Sequence, residues 1–250
     1  MGWTFSSTPK MFGVVHLAIL GAIAAGLVLL FFLLRKRTDR QLIRLLFVLG
    51  LSMLIAEAFK QWFVSRYVYA GRRSMWFFPW QLCSMAMYVS FAVPFVKRKA
   101  RDAALVFLCT FSVLGAAVAL IVPEDMMRDQ IVLFCHSFLY HTVMLVEGLC
   151  AVLLLRNRSR VRFWPCLLLF FGMALVAEGI NVVSHAIIPN LSDQANMFYI
   201  TPYYPTTQPV FDRIAAACGI YFEIVVYLSV LVAVSYGLYR LWYALFRKKT

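Results

Sequence analysis

The chain has 250 residues, of which 63% are hydrophobic and only 14% charged, with a net charge of +13. A domain of this size cannot bury so much apolar surface inside itself, which excludes a soluble globular protein and leaves an integral membrane protein. The apolar runs are continuous rather than alternating, which excludes a β-barrel and makes the fold class all-α.

A bilayer core of about 30 Å takes roughly 20 apolar residues in a helix. Charge, proline and glycine divide the chain into seven such spans, at 11–34, 41–63, 76–96, 103–122, 131–155, 164–188 and 213–246. They fill residues 1–250 so nearly that a single membrane domain is expected. The first span exceeds a signal-peptide core and its positive cluster follows rather than precedes it, so it should remain in the mature chain. MGWTFS at the start formally matches a myristoylation pattern. The second span ends in Glu57, Lys60 and Gln61; the third opens on Pro79, Gln81 and Cys83. The first and fourth spans carry the small-residue runs GAIAAG and LGAAVAL, suited to close helix packing. FCHSFLYH (134–141) brings His136, Ser137 and His141 into the fifth span, with Glu147 deeper; the sixth holds Glu178, Asn181 and His185. The seventh holds Glu223 near its middle. All six cysteines lie in apolar runs, without metal-type spacing.

The positive charge does not point to nucleic acid, because it is concentrated after alternate spans. RKRTDR (35–40), KRKAR (97–101), RNRSRVR (156–162) and RKK (247–249) hold 15 Lys and Arg, against 5 in the opposite set of Lys10, Arg66, Arg72, Arg73 and Arg128. Positive loops stay in the cytoplasm, which predicts an N-terminus outside and a cytoplasmic C-terminus in a multi-pass protein of the cell membrane. The same clusters suit anionic lipid.

With that topology, all four histidines lie in the outer half of the bilayer, together with Glu57, Lys60, Gln81, Cys83, Glu178 and Asn181. Ionisable groups in a span are costly and mark function or internal pairing. Several helices contribute polar groups at one depth, which predicts a hydrated cavity opening outward. Glu178, Asn181 and His185 share one helical stripe, as do Glu57, Lys60 and Gln61, for which a structural ion pair is the competing reading. His136 and His141 point about 140° apart, so His141 is assigned to the cavity and His136 to support. The segment 189–212, rich in proline and aromatics, is a candidate lid over the cavity; its Asn190-Leu191-Ser192 matches a glycosylation acceptor.

Four motifs together resemble the YwaF-like family of integral membrane proteins, whose eukaryotic relatives include a transmembrane phospholipid acyltransferase: EAFK (57–60), PWQLC (79–83), HSFLYH (136–141) and NMFYITPYYP (196–205). The resemblance implies an acyl-transfer pair of Cys83 and His141 acting on an outer-leaflet acyl lipid, without a cofactor. On this reading His136 or His185 protonates a leaving group and Asn181 serves a developing oxyanion. Glu57, Lys60, Gln81, Glu178, Asn181, His185 and Asn196 are the expected substrate-binding set. Two other readings stand beside it. One is a zinc hydrolase using His136, His141 and His185, for which no i, i+4 histidine pair exists. The other is a binding or transport protein that holds a small polar molecule in the same cavity.

Overall fold

The computed structural model describes residues 3–69, 75–156, 158, 161–188, 190 and 194–246. Gly2 of the myristoylation pattern, Arg72 and Arg73, the Leu191-Ser192 part of the glycosylation pattern, and the 247–249 cluster lie outside them. The α-helices are α1 (Val14–Leu34), α2 (Asp39–Phe63), α3 (Met85–Ala92), α4 (Arg98–Phe107), α5 (Val113–Ile121), α6 (Ile131–Leu155), α7 (Trp164–Ile187), α8 (Phe211–Cys218) and α9 (Ile220–Phe246). A π-helical turn, Leu108–Ser112, joins α4 to α5 without breaking their direction. Among the described residues six helices are long and apolar enough to cross a membrane: Val14–Leu34, Asp39–Val68, Arg98–Ile121, Ile131–Leu155, Trp164–Ile187 and Ile220–Phe246. The protein is therefore an all-α polytopic membrane protein.

The predicted third span is a correction. Residues 76–96 do not form one long helix but two 3-10 turns, Met75–Phe77 and Leu82–Ser84, followed by the eight-residue α3. Pro79 has no N–H to continue a helix, and Gln81 is extended, at ψ 159°. Non-helical backbone at membrane depth is tolerated only where protein or a cavity satisfies it. Here side chains do so: Gln61 Nε2 donates to the Phe77 carbonyl and Tyr88 OH to that of Pro79, the latter at 3.0 Å. At the other end of α3, Arg101 donates to the carbonyls of Val93, Pro94 and Val96. Close packing of α3 on α2 depends on Gly50, where a Cβ would stand 2.5 Å from the Phe91 nitrogen and 2.6 Å from Ser90 Oγ.

The predicted seventh span is also broken, at Gly219. Its φ of 89° is a conformation that glycine adopts without strain, and it separates α8 from α9. Glu223 consequently sits in the first turn of α9 rather than mid-span.

Three of the basic clusters meet at one end of the bundle, hereafter the basic end. Arg156 Nη2 donates to the Arg35 carbonyl at 2.9 Å, and Arg158 faces Asp102 at 3.8 Å. At the opposite end the N-terminal segment pairs with the connection before α6, Phe5 N donating to the Asp129 carbonyl and Ile131 N to that of Trp3. The core between the ends is aromatic at its centre, where Phe111 stacks on Phe170 with centroids 4.3 Å apart.

Candidate functional site

A cavity of about 100 Å³ lies at the end opposite the basic one, walled by α2, the broken segment before α3, the 124–128 turn and α6. Of the residues singled out from sequence, Glu57, Lys60, Cys83, His136, Ser137 and His141 line it. These six come from three separate segments. Their convergence requires the break before α3, which holds Cys83 in a 3-10 turn at the wall.

Each wall residue has its own polar balance. Glu57 is fully engaged, since Lys60 Nζ lies 2.8 Å from Oε2 and Gln61 Nε2 donates to Oε1 at 2.7 Å. The ion pair expected as the competing reading thus exists, and it still presents Lys60 to the cavity. His141 Nδ1 lies 2.8 Å from the Ser137 carbonyl. A carbonyl oxygen only accepts, so Nδ1 carries the proton and Nε2 is the basic nitrogen of the neutral ring. His136 stacks on Tyr140, centroids 5.5 Å apart, and its Nε2 is buried without a partner. Both histidines line the cavity, not His141 alone, because the opening receives side chains from about 140° of one helix.

Two further wall residues carry chemistry that the sequence reading did not assign. Tyr140 is buried and its hydroxyl has no hydrogen-bond partner. Arg128, counted only as a loop charge, lines the cavity with its guanidinium 5.5 Å from the Phe77 ring centre and its Nε donating to the Asp125 carbonyl. The signal for Tyr140 was present in its helical face, shared with His136; for Arg128, no periodicity exists to read.

Gln81, Asn181, His185 and Asn196 are brought together elsewhere, around residues 194–201. Asn181 Oδ1 accepts from Met197 N at 2.6 Å and its Nδ2 donates to the Met197 carbonyl at 3.2 Å. Gln81 Nε2 donates to the Asn196 carbonyl and Gln81 Oε1 accepts from Phe198 N. Asn196 Oδ1 accepts from Thr201 N. His185 Nδ1 donates to Gln194 Oε1, and the ring stacks on Tyr203 at 3.7 Å. Glu178 Oε2 accepts from Asn181 Nδ2 at 3.2 Å. The expected lid is thus a plug: Met197 and Phe198 are fully buried in the core rather than lying across a surface. Phe198 and Tyr199 both hold φ at 58°, a costly conformation for aromatic residues that the surrounding hydrogen bonds impose. Tyr199 OH donates to Asp125, which lines the cavity, so the plug ends at the cavity rim. Tyr204 OH donates to the Ala195 carbonyl, and burial pushes its phenol up to about 12, keeping it a donor.

His16 is satisfied apart from either group. Its Nδ1 accepts from Phe12 N at 3.0 Å, and its Nε2 donates to the Leu120 carbonyl at 2.8 Å. The three histidines of the zinc reading do not converge, because His185 is at the plug. Among the described residues no group of three or more His, Cys, Asp or Glu is placed to hold a metal ion.

Fold and site together define a multi-pass helical membrane protein with a polar cavity set between its helices and bordered by a buried plug. Within that class, the chain belongs to the TMEM164 family, whose family model matches residues 11–239. Comparison with curated proteins and with solved structures returned no match.

Proposed function

We propose that this protein is a membrane acyltransferase that moves an acyl chain from a glycerophospholipid through a thioester on Cys83, with His141 as the base. The observation that carries the reading is that a thiol and a histidine whose Nδ1 is taken up by the Ser137 carbonyl line one cavity together with the cations Lys60 and Arg128. A thiol buried by itself is inert, and a neighbouring imidazole is the usual means of activating it. Two cations at the same cavity suit the phosphodiester of the donor lipid. In this reading the chain crosses the membrane seven times, the third time through the broken segment 75–96. The N-terminus and cavity face outward and the basic end faces the cytoplasm, so the lipid enters from the outer leaflet.

The reaction balances within these residues. His141 Nε2 takes the Cys83 proton as the sulfur attacks the ester carbonyl. Collapse of the tetrahedral intermediate breaks the C–O bond, and the imidazolium returns the proton to the departing alkoxide, which leaves a lysolipid and a thioester. The hydroxyl of a lysolipid acceptor then attacks the thioester, His141 takes its proton and gives it to the released sulfur. Tyr140, with a buried and unengaged hydroxyl, is the donor for the oxyanion in both halves. It takes the role expected of Asn181, whose amide is spent on the plug.

The test is acyl exchange by purified protein between an isotopically labelled phosphatidylcholine and a lysophospholipid, read by mass spectrometry. The expected result is transfer by the wild type, an acyl adduct on Cys83 released by hydroxylamine, and loss of both in Cys83→Ala; His141→Ala should be severely slowed. Undiminished transfer by a folded Cys83→Ala protein would overturn the scheme. Uptake of a polar solute into proteoliposomes without lipid turnover would favour the transport reading instead.

A further inference from the structure

A second, shallow cavity, enclosing about 30 Å³, opens at the basic end and is lined by Cys109, Val152, Leu155, Val161 and Phe246, by the rings of Tyr239, Trp242 and Tyr243, and by Arg156 and Arg158. Its construction is specific. The Cys109 carbonyl lies in the π-helical turn Leu108–Ser112, and Trp242 Nε1 donates to it at 2.8 Å. Tyr239 OH donates to the Val161 carbonyl at 2.7 Å. The polar tips of these two rings are thus turned onto the protein and their apolar faces are left as wall. A shallow slot so lined suits hydrocarbon laid along its open face.

Its rim is the opposite in character. Arg156 Nε is buried without a partner although Nη2 of the same guanidinium is engaged. Among the described residues Arg158 approaches Asp102 at 3.8 Å, and Asp102 Oδ1 makes no hydrogen bond. A guanidinium carries five donors in a planar fork that matches phosphate oxygens, and most of these ten are not spent on the protein bonds described. The slot and the rim together have the polarity of one ligand, an acyl chain ended by an anionic phosphate.

We infer that this cavity is a structural binding site for an anionic glycerophospholipid drawn from the leaflet at the basic end, its phosphate on Arg156 and Arg158 and one chain along Val152, Leu155 and Phe246. The charge selects anionic over zwitterionic lipid. The apolar wall selects lipid over free phosphate. The bound lipid would tie the end of α6 to the end of α9, both of which line the cavity. This site is separate from the acyl-transfer cavity and does not depend on that reading.

The experiment uses the full-length protein in nanodiscs of phosphatidylcholine with or without phosphatidylglycerol, read by thermal unfolding, and native mass spectrometry of protein released from the mixed nanodiscs. The wild type should unfold at a higher temperature with phosphatidylglycerol and retain it in preference to phosphatidylcholine. Arg156→Gln/Arg158→Gln should lower that preference on the order of tenfold or more. Lys97→Gln/Lys99→Gln, which removes the same charge at the same end outside the cavity, should leave it intact. Three results would each overturn the inference: no preference in the wild type, equal loss in both double variants, or equal stabilisation by inorganic phosphate in detergent. The wild-type retention measurement decides the matter even if the arginine variant does not fold.

Discussion

Asn181 and Met197 are joined as two peptide groups would be, the side-chain amide accepting from the Met197 N–H at 2.6 Å and donating to its carbonyl at 3.2 Å, with Asn181 0% exposed. A helix side chain thus stands in for a neighbouring strand and holds an irregular segment inside a bundle where no water could satisfy it. Removing it should be costly, because the Met197 N–H would be left buried without a partner and its carbonyl would keep only the long 3.4 Å bond from Ile200 N. Asn181→Ala is expected to destabilise the protein by about 2–4 kcal/mol and to open residues 194–201 to limited proteolysis. An unchanged unfolding temperature in detergent together with an intact plug would contradict this account.

Gly50 makes a second, steric prediction. A Cβ there would meet backbone at Phe91, not a movable side-chain end, so α2 and α3 would have to separate. Gly50→Ala should cost about 1–3 kcal/mol, the usual range for overpacking. Since α3 follows directly on the turn that carries Cys83, the thiol should also become more reactive toward maleimide; a rate equal to that of the wild type would count against the coupling.

Tyr140→Phe separates catalysis from stability. The hydroxyl makes no hydrogen bond in the free protein, so its removal should leave the unfolding temperature unchanged or slightly raised. If it serves the oxyanion, kcat for acyl exchange should fall on the order of 10²- to 10³-fold with KM nearly constant. A variant that exchanges acyl chains at the wild-type rate would remove Tyr140 from the mechanism.

Topology is open to a direct check. With Cys135 and Cys218, the two exposed thiols, replaced by alanine, a cysteine at Thr8 should react with a membrane-impermeant maleimide on intact cells. A cysteine at Arg37 should react only after permeabilisation. The reverse pattern would invert the orientation and move the cavity to the cytoplasmic side.

His16 offers a control outside both cavities. It bridges the turn before α1 to the end of α5 through two hydrogen bonds, so His16→Ala should cost on the order of 1–3 kcal/mol without altering acyl exchange in protein that remains folded. A selective loss of exchange would show the N-terminal turn to be coupled to the chemistry.

Hydropathy and charge by themselves determined that this chain crosses a membrane repeatedly, because burying a 20-residue apolar run leaves few alternatives. The fifth span, 131–155, coincides with α6, where no proline interrupts the helix and its one glycine, Gly148, is accommodated within it. The broken third segment could not be read the same way. Its length and composition match a span, and it is Gln61 and Tyr88, reaching from other turns, that make the irregular backbone tolerable. Helical angles likewise set which faces carry polar groups but not what those faces meet. Sequence placed Gln81, Asn181, His185 and Asn196 beside Cys83 and His141 because all lie at one depth, whereas the tertiary structure separates them into a plug and a cavity. Depth follows from counting residues along one helix. Partnership depends on how neighbouring helices rotate and pack, and that is decided by long-range contacts such as Gly50 against Phe91 and Asn181 against Met197.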